Sequence, residues 1–122
     1  MKKFLLATVL LLSMTFVVGA TPVKYNATIR KDTPPENGWV VLQKQDHQLV
    51  VALVDQGSGS ITYTVKNVTN SDGKLIVEVE KNTPPFMTLD FVSWVLFLEI
   101  CNSVQVEDVV IHLFNSTSSN SF

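Results

Sequence analysis

The chain has 122 residues, 46% of them apolar and 16% charged, with a formal net charge of −2 and one cysteine. That length holds one domain and not two, and the acidic balance excludes the lysine- and arginine-rich surface of a nucleic-acid binder. A single cysteine excludes both a disulfide framework and a zinc cluster of several thiolates.

Met1-Lys2-Lys3 is a short positive segment, followed by the apolar run Phe4 to Val18 and by Val18-Gly19-Ala20, where a signal peptidase reads small residues. The run is about fifteen residues, short of the roughly twenty that cross a bilayer as a helix. Residues 1–20 are therefore expected to be a signal peptide, 21–114 a β domain and 115–122 a disordered polar tail. Cleavage after Ala20 removes Lys2 and Lys3 and leaves 7 basic against 11 acidic residues. The expected product is secreted and extracellular, with no membrane attachment once the signal is gone.

Beyond the signal the periodicity is that of strands. Val23, Tyr25, Ala27 and Ile29 alternate with Lys24, Asn26, Thr28 and Arg30, which puts Asn26 on a solvent face. Asp32 to Gly38 is a break rich in turn formers. Trp39 to Gln43 and Leu49 to Val54 are two apolar runs joined by a polar turn at Lys44 to Gln48, and Asp55 to Ser60 is a flexible connection. Ile61, Tyr63 and Val65 then alternate with polar residues, as do Leu75, Val77 and Val79, with Asp72-Gly73 as the hairpin turn between. Val68 is out of phase with Val65, which predicts a bulge near Lys66 or Asn67. Asn82-Thr83-Pro84-Pro85 ends that strand. Phe91 to Ile100 reads as a central strand buried on both faces, with a buried helix as the alternative, and a final strand follows over about Val104 to Phe114. About seven strands with turn signals every 8–12 residues predict an all-β fold, a small antiparallel sandwich or barrel.

Asn26-Ala27-Thr28, Asn67-Val68-Thr69 and Asn115-Ser116-Thr117 fit the N-glycosylation pattern, whereas Asn82-Thr83-Pro84 is disqualified by its proline. In a eukaryotic secretory pathway these asparagines are acceptor candidates on the protein surface; in a bacterium the pattern has no such meaning.

The chemical inventory is thin. His47 is expected in a polar turn beside Asp46 and His112 on the last strand; on different elements they could join Asp or Glu at a metal site, but two ordinary β-protein histidines are the plainer reading. Cys101 would act as a nucleophile only if the fold brought His47 or His112 to it; a mostly buried free thiol is the plainer reading, and a Cys101-linked dimer the minority one. Gly57-Ser58-Gly59-Ser60 lacks the lysine and the following helix of a phosphate loop, no serine occupies a nucleophile elbow, and Glu78, Glu80 and Asp90 read as scattered solvent-face charges. The sequence therefore predicts no enzyme, no catalytic residues, no metal and no cofactor.

From Leu49 to Leu113 the chain resembles the C-terminal domain of PrcB-type proteins, accessory polypeptides of bacterial protease complexes. The matching pieces are Leu49-Val50-Val51-Ala52-Leu53, the loop from Gly57 to Tyr63, Asp72-Gly73-Lys74-Leu75, Val77 to Glu80, Pro84-Pro85, Trp94 to Ile100 and Val104 to Leu113. Two positions depart from the pattern: the family's paired glycines fall at Ile61 and Thr62, and its proline falls near Ser93. The Asn-Pro-Thr-Thr-Gly and Arg-Pro-Trp motifs of chagasin-like protease inhibitors are both missing. The resemblance implies a binding or accessory module for an exported protein partner such as a protease complex. The alternative is a structural component of an extracellular matrix or cell surface. The candidate partner-binding positions are Gly57 and Gly59 in one loop and Pro84, Pro85, Phe86 and Met87 in another, with Phe86 either an exposed anchor or a cap folded onto the core.

Overall fold

The structure, a computed structural model, describes residues 21–101 and 103–116. The expected signal peptide at 1–20 and residues 117–122 of the expected tail lie outside the described residues. Eight strands and no helix are found among those described: β1 (Thr21–Pro22), β2 (Tyr25–Lys31), β3 (Trp39–Gln43), β4 (His47–Gly57), β5 (Thr62–Ser71), β6 (Lys74–Asn82), β7 (Val92–Cys101) and β8 (Asp108–Asn115). They form two four-stranded sheets, ordered β1-β5-β6-β8 and β2-β7-β4-β3. The all-β sandwich expected from the alternation is the observed fold.

Alternation decides what fills the space between the sheets. Val50 and Ala52 of β4, Leu96, Leu98 and Ile100 of β7, Val68 of β5, Leu75, Val77 and Val79 of β6 and Val109 of β8 are buried there together. Each fully buried aliphatic side chain contributes about 1.5–3 kcal/mol, so a core of this size holds the fold without a cross-link.

The β5–β6 hairpin turns on Asp72 and Gly73, both at positive φ (55° and 87°), with Ser71 paired to Lys74. That is the two-residue turn whose twist matches the flanking strands. Asn70 Oδ1 accepts the Gly73 N–H at 3.1 Å. The register shifts between Val65 and Asn67, so the bulge expected near Lys66 is present and explains the changed phase of Val68.

Several expectations are corrected. All strand pairs but one are antiparallel; β8 runs parallel to β6, from Lys74↔Asp108 to Lys81↔Asn115. It begins at Asp108 rather than Val104, because the amides of Glu107 and Asp108 are held by Gly73 O at 2.7 and 3.2 Å in the approach to it. It also extends through Asn115, the first residue of the expected tail, and the Ser116 amide that follows bonds to Lys81 O at 2.9 Å. Residues 91–100 are strand and not helix from Val92 onward, and β7 is interior to its sheet. It is not buried on both faces throughout: Phe97 is half-buried, Glu99 exposed, and Phe91 lies in the preceding loop. His47 and Gln48 open β4 instead of sitting in a turn, and β4 runs on to Gly57, so the flexible connection is shorter than expected.

Candidate binding loops at one end of the sandwich

Two connections meet where β4, β6 and β7 come to the same end of the molecule: residues 58–61 between β4 and β5, and residues 83–91 between β6 and β7. These are the two loops that the sequence singles out separately. The fold places them side by side.

Small hydroxyl residues make the junction. Ser58 Oγ lies 2.8 Å from Ser60 Oγ and 2.9 Å from Thr88 Oγ1, and it donates to Thr88 O at 2.9 Å in one hydrogen-bonding arrangement. The Thr88 amide donates to Ser60 Oγ at 3.2 Å. Asp90 closes the set: its Oδ1 accepts the Gly59 N–H at 3.0 Å and the Thr88 hydroxyl. The hydrogen bond from Thr88, then that from Gly59, together with nearby Lys31, hold the Asp90 carboxyl below the usual carboxylate range. Asp90 is thus no idle surface charge, as its sequence context suggested. The approach requires glycine at position 59, where a Cβ would meet Asp90 Oδ2 at 2.4 Å and Lys31 Nζ at 2.9 Å.

Beneath the loops a second polar group ties one sheet to the other. Tyr63 of β5 and Lys81 of β6 both reach Asp55 Oδ2 of β4, at 2.8 and 3.0 Å. Burial works against the Asp55 carboxylate, but the hydrogen bonds from Tyr63 and Lys81 outweigh it and lower its pKa. Burial, then the bond to Asp55, raises that of Tyr63. The Tyr63 and Trp94 rings pack with centroids 5.3 Å apart, and Trp94 Nε1 donates to Ser58 O at 3.2 Å. The 58–61 loop therefore stands on a rigid platform.

What this platform presents is apolar. Phe86 is 88% exposed, Phe91 73%, Met87 51% and Leu89 wholly so. The cap reading of Phe86 is overturned, since the ring does not fold onto the core. Pro84 is half-buried at the root of the loop and Pro85 exposed beside Phe86. Of the other candidate positions, Gly57 ends β4, with Ile61 Cδ1 3.6 Å from where its Cβ would be. It shapes the loop from below and contributes no exposed surface of note. Phe91 and Leu89 were missed at the sequence level, Phe91 because it continues the apolar run of β7 without a break.

Two of the reactive residues, His47 and Cys101, lie at the opposite end. His47 pairs across the strands with Cys101 in backbone register. The imidazole nonetheless faces carboxylates, with Nδ1 2.8 Å from Asp46 and Nε2 3.7 Å from Glu99. Cys101 is exposed, not buried as expected, and its Sγ lies 2.7 Å from Ser103 Oγ. That contact, with the Ser103 backbone and Lys24, lowers the thiol pKa. His112 is exposed on β8, paired with Glu78. Among the described residues no three His, Cys, Asp or Glu side chains converge on a metal position. Gln48, buried below Val50, bonds through Nε2 to Val104 O and Cys101 O and so shapes the 101–107 connection.

Compared with known protein families, characterised proteins and solved structures, the chain shows no match.

Proposed function

We propose that this chain is a secreted, non-enzymatic β domain that serves as a binding module for an exported protein partner, which it engages through residues 83–91 braced by residues 58–60. One observation carries the reading: four large apolar side chains, Phe86, Met87, Leu89 and Phe91, project into solvent from a loop held in place by its hydrogen bonds to Ser58, Gly59 and Ser60. Exposed apolar groups clustered on a protein surface mark interaction sites. A loop ordered before binding loses less entropy when it docks, and rigid aromatic anchors dominate interface energetics. The only charge in the exposed stretch, Asp90, is already engaged within the clasp, so the projecting surface asks for an apolar recess on the partner. The PrcB-like strand pattern supports a protease complex as the class of partner.

Affinity capture from the native secretion, with wild type and the Phe86→Ala/Met87→Ala variant as baits, tests the reading. A single aromatic anchor contributes about 2 kcal/mol, which corresponds to roughly a thirtyfold loss of affinity. The expected result is loss of one defined partner by at least that factor with an unchanged melting temperature, because neither side chain packs on the core. Equal recovery of the partner by both baits rejects this loop as the site. The alternative, a structural component of a matrix or cell surface, draws on the exposure of Asn26, Asn67 and Asn115; it predicts retention in insoluble extracellular material that is indifferent to Phe86.

A further inference from the structure

The outer face of the β2-β7-β4-β3 sheet is unlike that of its counterpart. Strand register sets Asn26, Glu99, Leu49 and Leu42 in one cross-strand row, and Thr28, Phe97, Val51 and Val40 in the next. The row beyond holds Arg30, Val95 and Leu53. The face is polar along its edge strand β2 and apolar across β4 and β3, where Leu42 and Val40 are exposed and Leu49 and Val51 half-buried. A shallow groove runs between the two parts, with Asn26 and Thr28 of β2 on one side, Leu49 of β4 on the other, and Phe97 and Glu99 of β7 between them. Arg30 covers one end of it, its guanidinium 3.8 Å over the Phe97 ring.

Asn26 stands at the other end. Asparagine is depleted in strands, and this one is exposed and makes no side-chain hydrogen bond among the described residues that would account for it. With Ala27 and Thr28 it forms an acceptor sequence. Neighbouring strands lie about 4.8 Å apart, so Leu49, two strands away, is about 10 Å across the face, within reach of the first sugars attached at Asn26. Asn67 is also exposed, but its row continues through Glu78 and His112, which are polar, and Asn115 ends β8. Of the three, Asn26 is the one whose own cross-strand row runs on through half-buried Leu49 to exposed Leu42.

We propose that Asn26 carries an N-linked oligosaccharide whose first sugars lie in this groove against Leu49 and Phe97. In the transfer, Asn26 Nδ2 forms a C–N bond to the anomeric carbon of a lipid-linked diphospho-oligosaccharide. The C–O bond to the diphosphate breaks, the lipid diphosphate leaves with the electron pair, and the transferase takes one Nδ2 proton. The inference goes beyond the binding reading but rests on the export it contains, and on a secretory pathway that glycosylates. Asn26 lies toward the Ile100 end of β7 and the binding loop precedes Val92 at the other end, so a glycan here leaves residues 83–91 open.

The test uses the protein isolated from its native secretion. Its mass should fall on treatment with an asparagine-specific glycan-releasing amidase, and peptide sequencing should then find aspartate at position 26. Expressed in cells of the same source, Thr28→Ser keeps the acceptor and Thr28→Ala removes it. Thr28→Ala should lose one glycan and melt a few degrees below Thr28→Ser, and the gap should vanish when both variants are made in cells that lack the glycan transferase, which leave Asn26 as asparagine. Unmodified Asn26 in a chain that begins at Thr21 overturns the glycan and leaves export standing. Unmodified Asn26 in a chain that still carries residues 1–20 overturns both. A glycan at Asn26 with no difference in melting between the two variants overturns its seating in the groove.

Discussion

Tyr63 donates a hydrogen bond to Asp55 Oδ2 at 2.8 Å across the interface between the two sheets, and Lys81 reaches the same oxygen at 3.0 Å. A half-buried carboxylate would weaken the sandwich if left alone; here two partners from the facing sheet make it a tie. The tie lies directly under the 58–61 loop, so the platform and the loops share one support.

Removing the phenol hydroxyl therefore has a defined cost. Tyr63→Phe should destabilise the domain by about 1.5–3 kcal/mol at neutral pH, the range for a hydrogen bond to a charged group. The pKa of Asp55 is lowered on folding, so its contribution is present above the ordinary carboxylate range and is lost as pH falls through the lower folded value. Urea titrations of wild type and Tyr63→Phe across acid pH should show the gap narrowing only below the ordinary carboxylate range.

Gly59→Ala should loosen the binding loops without unfolding the domain. The added Cβ would meet Asp90 Oδ2 and Lys31 Nζ, which are side-chain ends that can move away, but moving Asp90 breaks its bond to the Gly59 amide. Faster hydrogen exchange at Thr88, weaker partner capture and a nearly unchanged melting temperature are expected. Unaltered exchange at Thr88 would show that the clasp does not depend on this contact.

Acid should act on the same clasp. The Asp90 pKa is lowered by the bonds from Thr88 and Gly59, so the clasp persists through the ordinary carboxylate range and opens as pH falls through the lower folded value. Asp90→Asn should reproduce the open state at neutral pH, read as the same gain in exchange at Thr88 that acid produces in wild type.

Much of this fold is legible from particular residues. The phase change between Val65 and Val68 locates a bulge, and Asp72-Gly73 locates a turn, because both are local consequences of backbone geometry. Asp55 shows where local reading ends. Its place after Val54 suggests the start of a solvated loop, yet the register shifts between Leu53 and Asp55, and the extra residue turns Asp55 inward to face Trp94. Bulges re-aim side chains in this way, and nothing in the sequence near Val54 announces one. The parallel pairing of β8 with β6 was equally hidden, since the alternation of Val109, Ile111 and Leu113 is the same in either direction. The two binding loops were recognisable one at a time from their glycines and prolines. Their union through Ser58, Thr88 and Asp90 joins residues about thirty positions apart and needs the fold to be seen.

Cys101 should be fully modified by a thiol alkylating reagent under native conditions, faster than an ordinary free thiol at the same neutral pH, because it is exposed and its pKa is lowered. Cys101→Ser, His47→Ala and His112→Ala should each leave any turnover measured with the purified chain at background. An activity that disappears in both Cys101→Ser and His47→Ala while folding is retained would assign that pair a chemical role, and one that disappears in His112→Ala would assign it to His112.

The parallel β6–β8 pair bears on how the molecule comes to its final form. Between these two strands the chain crosses to the other sheet, lays down β7 as an interior strand there and returns. Only β3–β4 and β5–β6 join neighbours in sequence; β1–β5, β2–β7, β4–β7 and β6–β8 all bridge distant segments. Each sheet waits for a strand that the chain delivers only after passing through the other: β7 comes after β5 and β6, and β8 comes after β7. Non-local pairing of this kind slows folding. The molecule should therefore remain an open chain until β7 and β8 are both available and then close in a single step, with amide protons in the two sheets gaining protection together.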